Sequence, residues 1–141
     1  MKTLVSLFVI LISFSCSEEE NATPTTPIND SFDPTGMQVT LLKQGTFTGV
    51  GHTVSGTVKV YDDAGKKVVV LDPFTSQNGP DLKIYLSKDQ NATEYINLGA
   101  LKSTTGKQSY DVTGMPDLAE YKFVLVWCQQ FSVLFAKAEL Q

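Results

Sequence analysis

Residues 121–128 read Tyr-Lys-Phe-Val-Leu-Val-Trp-Cys, and after Gln129-Gln130 residues 131–140 continue Phe-Ser-Val-Leu-Phe-Ala-Lys-Ala-Glu-Leu. In an extended chain successive side chains point to opposite faces. Phe123, Leu125 and Trp127 therefore share one face, and Val124, Val126 and Cys128 share the other. Both faces are apolar, which marks a central strand covered on two sides. The two glutamines leave room only for a tight turn, so Cys128 is expected opposite Phe131.

Working back from this pair, the same alternation recurs. In Thr53–Tyr61, Val54, Gly56, Val58 and Val60 face one way, against Thr53, Ser55, Thr57, Lys59 and Tyr61. Asp62-Asp63-Ala64-Gly65 has the residues of a hairpin turn, and Lys66–Leu71 returns with three consecutive valines. Asn78-Gly79-Pro80 is a further turn before Asp81–Ser87, where Leu82, Ile84 and Leu86 alternate with Lys83, Tyr85 and Ser87. Gln38–Thr48, Tyr95–Leu98 and Gln108–Val112 complete the set. β-Branched and aromatic residues fill these runs, turn residues separate them, and no stretch carries a helical period. The expected fold is all-β, an antiparallel sandwich or barrel of about eight strands spanning residues 37–141.

Composition fits one such domain. The chain has 141 residues, 42% of them hydrophobic, enough to bury a core. Its 11 basic residues are all lysine, against 15 acids, for a net charge of −4. Without arginine it lacks the usual bidentate reader of guanine edges and the planar phosphate clamp, so nucleic acid is not an expected partner. Five acids (Glu18, Glu19, Glu20, Asp30 and Asp33) precede residue 37, and the remaining ten are balanced by ten lysines. The expected domain is neutral, which leaves electrostatic steering no part in its action.

The first 36 residues read as an address and a tether. Met1-Lys2 gives a short positive start, Leu4–Ile12 is an almost unbroken apolar run, and Ser13-Phe14-Ser15 leads into Cys16. The run is shorter than the ~20 residues that span a bilayer and has the layout of a secretion signal. Small residues before a cysteine resemble the bacterial lipoprotein box. The resemblance implies a signal peptide at 1–15 and a lipid on Cys16, which would anchor the chain in the membrane. Ser13 stands where that box usually has leucine, a departure similar to the looser boxes of Bacteroidetes-type bacteria. Ser17-Glu18-Glu19-Glu20 reads either as a solvated acidic linker or, by resemblance, as a lipoprotein export signal. The expected location is the outer membrane or cell surface. Asn21–Pro34 is rich in Pro, Thr, Asn and Asp and too poor in apolar residues to repay its ordering entropy, so residues 16–36 are expected to be a flexible tether.

Few residues can carry chemistry. Apart from Cys16, Cys128 is the one thiol in the chain, and secreted proteins rarely keep an unpaired thiol. It reads either as a reactive group or soft metal or haem ligand, or as a small hydrophobe packed in a strand. His52, the single histidine, lies in a glycine-flanked loop at a strand start. It is either a strand cap or a partner of Cys128, as base or co-ligand. One histidine excludes a blue-copper centre, and no C-x-x-C-H attaches a c-type haem. No G-x-S-x-G elbow supports a serine hydrolase, so a conventional enzyme is not expected. Asp62-Asp63 and Asp81 read first as turn residues.

Several blocks fall in the order of one known family. They are Gly45-Thr46-Phe47; His52 to Thr57; Gly79-Pro80-Asp81-Leu82 with Tyr85-Leu86-Ser87; Leu98-Gly99 with Leu101-Lys102; Gly106 with Tyr110; and Val126 to Val133. Together they resemble the DM-thirteen domain, an extracellular all-β module often found beside DOMON domains. Ala136 stands where that family usually has glycine. The resemblance implies electron transfer through Cys128, as a bare thiol or as ligand to a prosthetic group such as haem or a metal, with an electron-transfer partner. The other reading is a non-catalytic surface module for glycan or protein, with Cys128 as packing.

Overall fold

The computed structural model describes residues 22–141. The signal peptide, Cys16 and the Glu18–Glu20 run lie outside the described residues. Among the described residues, ten strands form two five-stranded sheets packed face to face. They are β1 (Ile28–Asn29), β2 (Val39–Thr46), β3 (Thr48–Gly49), β4 (Val54–Asp63), β5 (Lys66–Ser76), β6 (Leu82–Ser87), β7 (Tyr95–Ala100), β8 (Gly106–Asp111), β9 (Phe123–Cys128) and β10 (Val133–Glu139). The first sheet runs β1-β8-β5-β4-β2 and the second β3-β10-β9-β6-β7. Every pairing is antiparallel except β1 with β8. Between a sandwich and a barrel, the fold is a sandwich. On one side the backbones of Gln44 and Gln141 exchange hydrogen bonds of 3.2 and 2.8 Å, which ties the edge of β2 to the end of β10 without closing a barrel.

The alternation in the sequence builds the core. Val54, Val58 and Val60 of β4, Leu82, Ile84 and Leu86 of β6, and Val124, Val126 and Cys128 of β9 point between the sheets and are buried together. β9 is the middle strand of its sheet, as its two apolar faces require. Its outward face, Phe123 and Leu125, packs with Tyr85, Trp127 and Leu134 in a second cluster. In the β4–β5 hairpin Ala64 and Gly65 both have positive φ (51° and 88°), the twist that suits a two-residue hairpin loop. Asp62 accepts the Gly65 N–H at 2.9 Å, so the Asp62-Asp63 pair does turn work.

Two features differ from the sequence reading. The β9–β10 turn is longer than two glutamines: Gln129 to Ser132 form it, Ser132 has φ 52°, and Cys128 pairs with Val133 rather than Phe131. Phe131 is left at the tip, 64% exposed. The second difference concerns residues 22–36, read as part of a flexible tether, which bind along the first sheet. Ile28 and Asn29 pair with Gly106 and Lys107, covering the outer edge of β8. The Asp30 carboxylate accepts Lys102 Nζ at 2.6 Å, the Ser109 N–H at 2.8 Å and the Ser109 hydroxyl at 3.1 Å. The Ser103 hydroxyl donates to Thr26 O at 2.7 Å, and Lys107 Nζ to Phe32 O at 2.6 Å. Gly106, at φ 114°, permits this approach, because a Cβ there would collide with Ile28 O. The segment is too polar to build a core, but a free sheet edge needs hydrogen bonds, which it supplies.

Candidate functional site

The chemistry-bearing residues collect at one end of the sandwich, where loops 50–53, 77–81 and 129–132 meet. Cys128 ends β9, between Leu82 of β6 and Val133 of β10 in register. Its side chain points into the core and is 1% exposed. The Sγ–H donates to Pro80 O at 3.1 Å, a weak bond that still satisfies the carbonyl of a proline turn. The loop carrying Pro80 is held from several sides. Asp81 O accepts the Gln129 N–H at 3.0 Å, and the Asp81 carboxylate pairs with Lys83 at 2.8 Å. Asn78 makes reciprocal hydrogen bonds with the Thr23 backbone, accepting at 3.2 Å and donating at 3.0 Å. Ala22 forms a β-bridge with Pro80. The N-terminal segment is thus latched to the loop that covers the thiol.

His52 stands on the same end. Its ring stacks on Phe135, with centroids 3.6 Å apart and planes 6° from parallel. Nδ1 is buried and has no hydrogen-bond partner among the described residues. The loop is fixed by Val50 N–H donating to Phe135 O at 2.8 Å and Gln77 N–H donating to Thr53 O at 2.7 Å. Gly79 completes the cluster, since a Cβ there would lie 2.6 Å from Phe135 Cζ. Contacts therefore run from His52 through Phe135 to Gly79, and the next residue, Pro80, takes the Cys128 thiol. No hydrogen bond joins His52 to Cys128, so the two are brought to one loop cluster without forming a base–nucleophile pair.

As it stands, the donor set does not fit a haem or a metal. The sulfur is enclosed, and among the described residues no three His, Cys, Asp or Glu side chains converge. A group ligated by Cys128 would have to displace the Pro80 loop. What the arrangement offers is a single buried sulfur, bonded to Pro80 O, under a loop held by a handful of polar contacts and by the packing of Gly79 on Phe135.

The sequence pointed to Cys128 and His52, and placed Trp127 on the opposite face of β9, where it lies. It gave no sign of Phe135 as the stacking partner, or of Asn78 and Thr23 as the latch. Nor could it show the rings gathered beyond Trp127, where Tyr85 stacks on Tyr95 at 4.1 Å and 15° and on Trp127 at 6.0 Å and 24°. Burial first, then the neighbouring Tyr95, pushes the Tyr85 phenol up to about 12.

No curated protein and no solved structure matches the chain. A family model described as "electron transfer DM13" matches residues 46–140, from the end of β2 through β10. The matched span holds His52, the Asn78–Asp81 loop and Cys128. The chain belongs to the electron transfer DM13 family.

Proposed function

We propose that the protein is a lipid-anchored envelope module in which Cys128 exchanges electrons as a bare thiol. The observation that carries the reading is the position of Cys128: a buried thiol inside the family match, beneath a loop that packs on Phe135 and is tied at its edge by the Thr23–Asn78 and Ala22–Pro80 contacts. Lifting residues 78–80 frees the Sγ–H from Pro80 and turns the strand end toward solvent. The freed thiol gives its proton to water, and the thiolate attacks one sulfur of a partner disulfide. A mixed disulfide forms, the partner's other sulfur leaves as thiolate, and the electron pair passes to the partner. Buried structural thiols are inert, so the loop keeps Cys128 reduced until a partner opens it. The lipid on Cys16 would hold the domain near a membrane-bound partner.

Incubation of the folded chain, as a Cys16→Ser variant, with glutathione disulfide tests the thiol. The reading predicts one glutathione adduct on Cys128 under native conditions; an adduct only in denaturant contradicts it. For the anchor, Cys16→Ala should abolish incorporation of radiolabelled lipid in cells, and unchanged labelling refutes that half of the reading.

One observation favours a second reading, a glycan-binding surface module. A polar cleft of about 730 Å³ is lined by Gln44, Thr46, Thr48, Gln90, Lys137 and Glu139, within the size range of small-ligand sites. Retention of the chain on a glycan array, lost in Lys137→Ala, would support it.

A further inference from the structure

The outer face of the second sheet carries three oxidisable rings in series on three adjacent strands. Tyr95 lies on β7, Tyr85 on β6 and Trp127 on β9. The Tyr85 ring lies between the other two, nearly parallel to both, at 4.1 Å from Tyr95 and 6.0 Å from Trp127. Tyr85 is 2% exposed and packed against Phe123 and Leu125, whereas Tyr95 is 44% exposed. The series therefore has a dry middle and a wet end. Trp127 is the one tryptophan of the chain and precedes Cys128 in β9, with the two side chains on opposite faces.

We propose that Trp127, Tyr85 and Tyr95 form a relay that passes single electrons across the outer face of the second sheet, with Tyr95 as the port to a one-electron carrier of the high-potential class, a high-valent haem or metal–oxygen centre. The relay rests on the electron-transfer reading of the domain, but not on Cys128. In the oxidising direction the carrier accepts one electron from Tyr95. The phenol proton goes to water. The tyrosyl radical then takes an electron from Trp127 across the Tyr85 ring and a proton back from water. The indole N–H gives up its proton, leaving a neutral tryptophanyl radical that a second one-electron carrier, of lower potential, reduces. In the opposite direction an oxidised Trp127 takes its electron from Tyr95 by the same route, the phenol proton goes to water, and the carrier reduces the tyrosyl radical, which takes a proton back. Tyr85 serves as a bridge because it is sealed from water and its phenol holds its proton more tightly than usual. Tyr95 is the terminus because its hydroxyl can release a proton to solvent.

The test uses the full chain and azide radicals generated by pulse radiolysis. An azide radical takes one electron from Trp127, giving azide ion, a neutral tryptophanyl radical and a proton. Electron transfer from tyrosine then restores the indole, which regains a proton from water, and leaves a tyrosyl radical. The expected result is decay of the tryptophanyl absorbance with a matching rise of the tyrosyl absorbance, at a rate independent of protein concentration. Tyr85→Leu, which removes the middle ring, should slow this step at least tenfold, Tyr85→Phe, which keeps a ring there, should slow it less, and Tyr95→Phe should abolish the tyrosyl rise. Tyr121→Phe, on a ring outside the stack, should change nothing. Decay of the tryptophanyl radical without a matching tyrosyl rise overturns the relay, as does a rate unaffected in Tyr85→Leu. The same transfer in Cys128→Ser is expected, so failure of the thiol reading and failure of the relay are separable.

Discussion

At the scale of single residues, the thiol end of the sandwich depends on how tightly Phe135 fills it. The ring is stacked by His52 on one side and occupies the space a side chain at Gly79 would need. Gly79→Ala should therefore cost about 1–3 kcal/mol, the usual penalty of overpacking. Phe135→Ala removes a buried ring and should cost about 3–5 kcal/mol. Both follow from urea denaturation midpoints, and a loss below about 0.5 kcal/mol in each would mean the loop cluster is looser than described. Cys128 was legible in the sequence as the one thiol of the domain. Its partner was not, because Pro80 offers a backbone carbonyl and any residue at that position carries one. The stack of His52 on Phe135 was equally hidden, since 83 positions separate them and neither neighbourhood has a motif that demands the other.

At the scale of elements, the strands were the legible part. Their apolar residues alternate with the period of the pleat, and all eight expected strands are present with shifted ends. What alternation cannot reveal is an element held chiefly by hydrogen bonds, with Phe32 against Tyr61 as its apolar contact. β1 is two residues long, and its bonds reach β8 nearly eighty residues away. Asp30 makes the latch pH-sensitive. The Lys102 ammonium, followed by the Ser109 donors, lowers its carboxyl against the opposing effect of burial. A carboxylate with a lowered folded value stabilises above its ordinary range, and that contribution fades as pH falls through the folded value. Hydrogen exchange of the Ser109 and Lys107 amides should therefore speed up in acid below that range relative to the core strands. Asp30→Asn should show the faster exchange already at neutral pH, with a loss of about 1 kcal/mol. Equal protection in both proteins at neutral pH would remove Asp30 from the latch.

For the whole molecule, the N-terminal segment links three things that the sequence presents separately: the sheet edge at β8, the loop over Cys128, and the stretch leading back toward Cys16. Deleting residues 22–36 leaves β8 with an open edge, which invites pairing between copies. The shortened chain should be less stable in urea and should self-associate in sedimentation experiments; a monomer of unchanged stability would mean the segment is only laid on the surface. The neutral charge balance of residues 37–141 fits recognition through contact rather than long-range steering. On the proposed reading, Cys128 is reached by lifting the Asn78–Pro80 loop and not by unfolding the sandwich. That reading is tested most directly by the rate at which a thiol reagent labels Cys128 in the folded Cys16→Ser chain, with and without Asn78→Ala. Labelling is expected to be faster than global unfolding, and at least fivefold faster again in Asn78→Ala. Labelling at the rate of global unfolding in both proteins would contradict the reading and make Cys128 a packing residue.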